Sequence, residues 1–364
     1  MIRSEAFDPP EYRNWTPDPD LVQQYHRTIT QDANRRALIE ALDRDRLLEL
    51  YRRLLRARLI DQALSRWVRQ GVIAKAWLGT GEEAVTTGPV YALDARHDYA
   101  LPVIRNHAAS ADLGLPLSDL FRTYLGAADG PSQGRDLHLG SFAHRTVSPI
   151  SSTGAMVPVA LGMAMAMQIQ ERAGVMLTWV GDGSTKSGPT HEGFNFAAVR
   201  KVPAVFIIQN NQVALGTRLD QHHLAPDFAD WPEAYGMAGA SFDGNHVLDA
   251  WAATALAVER CRRGEGPVML VANTFRMGGH ATHDEREARA TLPAESFAEW
   301  GKRDPVGMYE EYLKGRGIGE GERRKEEGVV RDAVEAAVAE ALASRDVGHS
   351  AAGALERVYA PAER

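Results

Sequence analysis

Cysteine is nearly absent: Cys261 stands alone in the chain, so no internal disulfide staples the fold. It lies in a stretch of helical spacing with Leu256, Val258 and Arg260, where a structural residue is expected rather than a reactive thiol. Long apolar runs are missing as well. The longest, Ala155 to Met167, falls short of the roughly 20 residues that cross a bilayer, and no charged-then-apolar pattern opens the chain. No membrane partner and a cytoplasmic location are therefore expected. Basic blocks are absent, and a formal net charge of −7 argues against a nucleic-acid footprint. Repeats and low-complexity tracts do not occur. What is present, 44% hydrophobic and 24% charged residues in a chain of 364, suits a globular protein with a large core.

Residues 1–31 are polar and carry prolines at 9, 10, 17 and 19, which predicts an extended N-terminal arm. Leu38, Leu42, Leu47, Leu50, Leu54, Leu55, Leu59, Leu64 and Val68 recur at spacings that predict one long amphipathic helical stretch over 32–70, stopped by Gly71. Helices are predicted at 82–93 and 117–125, with a short strand at 98–103 between them. Residues 126–149 are rich in Gly, Ser and His without periodicity, as in a functional loop. A helix of Ala, Met and Gly follows at 154–169. Later come a helix at 247–262, a strand at 267–275, a polar loop at 276–290 and a charged helix at 319–344. Strands alternating with helices predict an α/β fold, a doubly wound, mainly parallel sheet with helices on both faces. That domain is placed at 32–315, with a C-terminal helix and tail at 316–364.

Two short motifs carry the chemistry. Gly181-Asp182-Gly183 ends the apolar run Val175–Val180, and Asn210-Asn211 ends the run Ala204–Gln209. Between them Phe194, Ala197, Ala198 and Val199 have helical spacing, so the segment reads as a βαβ unit with polar residues at both carboxyl strand ends. Parallel sheets bind ligands at those ends. An Asp and an Asn side chain brought together there are hard oxygen donors suited to Mg²⁺, which completes its octahedron with phosphate and water. Glycines beside them let backbone approach a diphosphate.

These residues resemble the thiamine diphosphate signature. Their flanks, Glu192–Val199 and Val202–Phe206, resemble the α subunit of the decarboxylating component of 2-oxo acid dehydrogenases, pyruvate and branched-chain types, over about residues 45–315. The resemblance implies the thiamine diphosphate-binding fold with helical N- and C-terminal extensions. It implies Asp182, Asn211 and the carbonyl of Val213 as Mg²⁺ ligands, with Gly181, Gly183 and Ser184 at the diphosphate. Arg105 is implied as a diphosphate contact, Ser148 and Ile150 as backbone contacts to the aminopyrimidine, and His280 as the catalytic histidine next to the diphosphate. It further implies oxidative decarboxylation of a small 2-oxo acid, with the acyl unit passing to a lipoyl group on an acyltransferase. The expected assembly is a heterotetramer of two α and two β subunits, the β subunit supplying the carboxylate that activates the pyrimidine.

Departures from the family pattern stand at Ile104, where Tyr is usual, at Val213, often aromatic, and at Trp77, where pyruvate-type relatives often have His. They keep open a non-catalytic α-like paralogue acting in assembly. Gly79-Thr80-Gly81-Glu82-Glu83-Ala84 also fits a dinucleotide fingerprint, with Asp98 as a ribose ligand, but the chain before it makes a poor buried strand. His283, His138 and His144 lie in loops that could approach a substrate, and His222-His223 reads as a solvated turn. The loop 276–290, with its Gly278-Gly279 hinge, buries little apolar surface by its composition and is expected to order when a diphosphate binds.

Overall fold

The apolar runs form a parallel sheet whose strands are buried on both faces. The computed structural model describes residues 1–149, 152–348, 350, 353 and 356. Strands β1 (Tyr99–Leu101), β2 (Met176–Gly181), β3 (Ala204–Asn210), β4 (Ala238–Asp243) and β5 (Val268–Asn273) lie in the order β1-β2-β3-β5-β4, every pairing parallel. Because successive side chains point to opposite faces, β3 sends Phe206 and Ile208 into one core and Val205 and Ile207 into the other. β5 divides Met269 and Val271 from Val268, Leu270 and Ala272 in the same way.

Helices complete the two layers. On one face lie α3 (Met156–Ile169) and α4 (Gly188–Arg200), which bury Val157, Ala160, Leu161, Phe194 and Ala197 against the strands. On the other lie α2 (Glu83–Tyr91) and α5 (Val247–Arg262), with Val85, Ala250, Ala253 and Ala257. Cys261 is buried in that layer and burial pushes its thiol up to about 12, in keeping with a structural role. A third core, built without strands, joins α1 (Arg44–Arg69), α6 (Pro305–Gly315) and α7 (Glu320–Ala343). Together the layers make a doubly wound α/β architecture with helices on both faces, as expected, flanked by helical extensions. Among the described residues no helix is long and apolar enough to cross a membrane.

Several local readings are corrected. The segment 1–31 is not extended: it contains helices at Pro10–Arg13 and Pro19–Gln31, the second capped by the Asp18 carboxylate on the Asp20 and Leu21 amides. The stretch 32–70 is two helices, Ala33–Glu40 and α1, because Asp43 caps a new start by accepting from the Arg46 amide at 2.9 Å. The loop 276–290 ends in a helix at Glu285–Thr291, and Met277, Ala281 and Ala288 anchor it in the interior. β4 escapes a hydrophobicity reading because Ala238-Gly239-Ala240-Ser241 is an edge strand, only partly covered.

Candidate active site

Register decides the geometry at the sheet's carboxyl edge. Gly181 pairs with Gln209 and Asn210 with Asn273, so the residues just beyond β2, β3 and β5 emerge side by side. After Asn211 the chain turns at Gln212, whose φ is 72°, into a hairpin pairing Val213–Ala214 with Thr217–Arg218. That hairpin folds back over the Gly181–Gly183 loop. A Cβ on Gly183 would stand 2.4 Å from the Ala214 Cβ, so this position tolerates only glycine. The result is a cleft of about 380 Å³. Arg105, Gly181, Asp182, Gly183, Ser184, Asn211, Val213 and His280, drawn from sequence positions up to 175 residues apart, all line it.

Asp182 is buried, and burial holds its carboxyl up at about 6, with the Gly183 amide opposing and Glu82 adding to the rise. One oxygen, Oδ1, accepts from the Gly183 amide at 2.7 Å; the other, Oδ2, is buried with no partner. An unmatched buried carboxylate oxygen is costly, and a cation beside it would remove that cost. Asn211 stands on the same cleft, its Nδ2 donating to Glu82 at 2.9 Å and its Oδ1 accepting a long bond from the Val213 amide at 3.4 Å. Among the described residues no three or more His, Cys, Asp or Glu side chains are grouped so that they could hold a metal ion by themselves. One carboxylate, one amide oxygen and a main-chain carbonyl form a different donor set, the kind Mg²⁺ accepts when substrate phosphates and water fill its remaining positions. These residues therefore fit the cation.

Facing this acidic pole are two guanidinium groups. Arg105 donates from Nη1 to the Leu78 carbonyl at 2.8 Å, and its Nη2 stands 3.3 Å from both Nδ1 and the carbonyl oxygen of His280. Arg276 is held by the Gly278 and Leu215 carbonyls; burial, then Arg105, lowers it to about 10. Burial also lowers His280 to about 4, with Arg105 and Arg276 adding to the effect. At neutral pH His280 is thus uncharged. Since a guanidinium only donates, Nδ1 must accept at that contact, leaving Nε2–H as a donor. Two crowded cations and a neutral donor across the cleft from an unmatched carboxylate make this pole suited to an anion.

Other readings fare differently. Ser148 does not line the cleft; its hydroxyl donates to the His138 carbonyl at 2.8 Å. Ile150 lies outside the described residues. Trp77 is half-buried beneath the Lys75 ammonium, away from the cleft, and His283 is exposed. His138 and His144 also lie off the cleft, and His223 stacks on Phe228 instead of forming a solvated turn. The dinucleotide alternative fails because residues 74–82 form no strand and Asp98 accepts from the Val175 and Asp94 amides. What the fingerprint contained was Glu82, fully buried, its Oε1 accepting from Gln209 at 2.6 Å as well as from Asn211. The only signal for it was a carboxylate pair opening a helix otherwise made of Ala, Val, Thr, Gly, Pro and Tyr.

Known proteins resemble this chain in sequence. The profile of the family described as "Dehydrogenase E1 component" matches residues 51–348. The chain belongs to that family. It is 34% identical over 274 residues to 2-oxoisovalerate dehydrogenase subunit alpha of Bacillus subtilis, covering 74% of this chain and 82% of the relative. It is 32% identical over 311 residues to the pyruvate dehydrogenase E1 component subunit alpha of Bacillus cereus, covering 85% and 80%. With 3-methyl-2-oxobutanoate dehydrogenase subunit alpha of Mycobacterium tuberculosis it shares 30% over 319 residues, covering 87% and 80%. The E1 family is thiamine diphosphate-dependent, and this chain is an α-type oxidoreductase component of the 2-oxo acid dehydrogenases.

Proposed function

We propose that this E1 component is the α half of a Mg²⁺- and thiamine diphosphate-dependent enzyme for oxidative decarboxylation of a small 2-oxo acid. The observation that carries the reading is the unpartnered, buried Oδ2 of Asp182 across one cleft from Arg105, Arg276 and His280. Asp182, the Asn211 Oδ1 and the Val213 carbonyl would hold Mg²⁺, and Gly181, Gly183 and Ser184 would line the diphosphate. When bound, thiamine diphosphate supplies the electron sink for decarboxylation. Arg105 binds diphosphate oxygens, and neutral His280 donates from Nε2 and orients with Arg105. By family resemblance the Ser148–Ile150 segment meets the aminopyrimidine ring.

The partners follow from the chemistry and from the relatives' names as alpha subunits. No carboxylate of this chain is assigned to pyrimidine activation, so a β subunit completes the site, in a heterotetramer of two α and two β chains. A lipoyl-bearing acyltransferase receives the acyl unit. The apolar side chains that α3 and α4 leave exposed, Val159 at 41%, Ile169 at 72%, Phe196 at 46% and Val199 at 69%, support a subunit contact. The intact Asp182 and Asn211 pair supports catalysis over the assembly-only alternative. Substrates are the 2-oxo acids of the pyruvate or branched-chain class.

The experiment is Asp182→Asn, which keeps shape and removes charge. Co-expressed with a β subunit, the variant should melt like wild type but lose Mg²⁺-dependent thiamine diphosphate affinity by at least about tenfold, or about 1.4 kcal/mol. Unchanged affinity in titration calorimetry would sink the proposal.

A further inference from the structure

Glu82 is fully buried, yet neither the metal ligand set nor the diphosphate cradle includes it. Burying a carboxylate costs several kcal/mol unless it is well partnered, so its partners show what it does. All of them belong to the cleft. Oε1 accepts from Asn211 Nδ2 at 2.9 Å and from Gln209 Nε2 at 2.6 Å; Oε2 has no hydrogen bond and stands 3.6 Å from Arg105 Nη1. Gln209 is pinned from its other end, its Oε1 accepting from Asn106 Nδ2 at 3.0 Å. Glu82 is itself held in place. Its amide donates to the Gly79 carbonyl at 2.8 Å, and Gly81 before it has φ 93°, where a Cβ would lie 2.8 Å from the Phe275 carbonyl oxygen.

An asparagine amide has two faces of nearly equal shape and opposite chemistry. A carboxylate accepts only, so it can face Nδ2 but not Oδ1. We infer that Glu82 is a positioning residue for the metal: it locks the Asn211 amide so that Oδ1 is the atom offered to Mg²⁺, and ties that choice to Arg105 on the diphosphate side. The inference rests on the Mg²⁺–thiamine diphosphate reading of the cleft and names the residue on which that site depends. Without Glu82 the amide is free to turn its NH₂ toward the cation. Removing partners that orient a metal ligand typically weakens the metal by roughly 10–100-fold.

The test uses the chain assembled with a β subunit and measures thiamine diphosphate binding by tryptophan fluorescence as Mg²⁺ is varied. Glu82→Ala should raise the Mg²⁺ half-saturation by at least about tenfold. In Glu82→Gln the Gln209 NH₂, fixed by Asn106, keeps the new side chain's oxygen turned toward both amides, so the variant should stay within about threefold of wild type. In an Asn211→Ala background the further change Glu82→Ala should add less than about twofold, because the ligand it positions is gone. Should Glu82→Ala not fold, Glu82→Leu fills the volume and carries the same expectation. If wild type shows no Mg²⁺-dependent binding, the reading of the cleft falls. If wild type binds and the Ala or Leu variant has the same Mg²⁺ dependence, or the Gln variant is as weak as they are, the role of Glu82 alone falls.

Discussion

His246 shows how much one side chain can be asked to do. It caps α5 by accepting from the Asp249 amide at Nδ1, 3.2 Å, while Nε2 donates to the Tyr25 carbonyl at 3.1 Å. The Nδ1 bond requires the neutral ring, and the Nε2 bond fixes its tautomer. Burial lowers the group from 6.5 to about 4, with Asp249 opposing and His26 assisting. As pH falls, the unfolded chain takes up the proton first, so stability is lost between about 6.5 and 4, at up to about 1.4 kcal/mol per pH unit. His246→Asn retains a cap-competent side chain and should flatten that slope. Urea midpoints at pH 7.5, 6 and 5 check it; parallel declines in both proteins would rule the mechanism out. At this scale the sequence exposed some residues and hid others. Asp182 and Asn211 were readable because each follows a strongly apolar strand, and strand ends of a parallel sheet converge. Glu82 was not, since its role arises from amides more than 100 residues downstream, which no local pattern reports.

At the scale of elements, the loop carrying His280 is held more firmly than its polarity suggests. The Thr282 amide donates to the Ala76 carbonyl at 2.9 Å, the Ala76 amide donates to the Thr282 hydroxyl at 3.1 Å, and Ala281 caps back onto Asp284 at 2.8 Å. Gly279 makes this turn possible: a Cβ there would lie 2.4 Å from both the Ala281 carbonyl oxygen and Asp284 Oδ1. Gly279→Ala should therefore push His280 off Arg105, with a cost near the 1–3 kcal/mol typical of overpacking, about 2 kcal/mol. Thiamine diphosphate affinity should fall, and amide exchange should rise across 276–291 but not in β5. Uniform exchange throughout the chain would show a global effect instead. The elements best read from sequence were those whose burial is decided by one layer: the helices at 117–125 and 247–262 match their predicted bounds. Those misread, the break at Asp43 and the helix Pro19–Gln31, depend on caps and docking that override a leucine pattern or a proline count.

Across the whole molecule, one buried ionic cluster ties four distant segments together. Arg58 of α1 contacts Glu83 at the head of α2, Asp304 at the head of α6 at 2.9 Å and Asp8 of the N-terminal segment at 3.4 Å, with its guanidinium 4.8 Å above the Tyr12 ring. Gln62 adds bonds of 3.0 Å to both Asp8 oxygens. The N-terminal segment is thereby built into the fold that presents Glu82, one residue before Glu83. Arg58→Ala would leave three carboxylates around an empty centre, and breaking a buried pair in this way costs about 3–5 kcal/mol. The pH dependence gives the sharper signature. Glu83 is already raised to about 7, burial outweighing the pull of Arg58. Its folded form binds a proton more tightly than the unfolded chain does, so this group's contribution is fullest at low pH and is lost as pH rises through about 7. Without Arg58 the Glu83 carboxyl rises further, while Asp304, held low, loses its counter-charge at every pH in this range, so the deficit of the variant should be least near pH 5 and grow toward pH 8. Denaturation midpoints of the two proteins across that range test it. A deficit that shrinks with rising pH would mean that Arg58 acts through packing on Tyr12 and not as the counter-charge of the cluster.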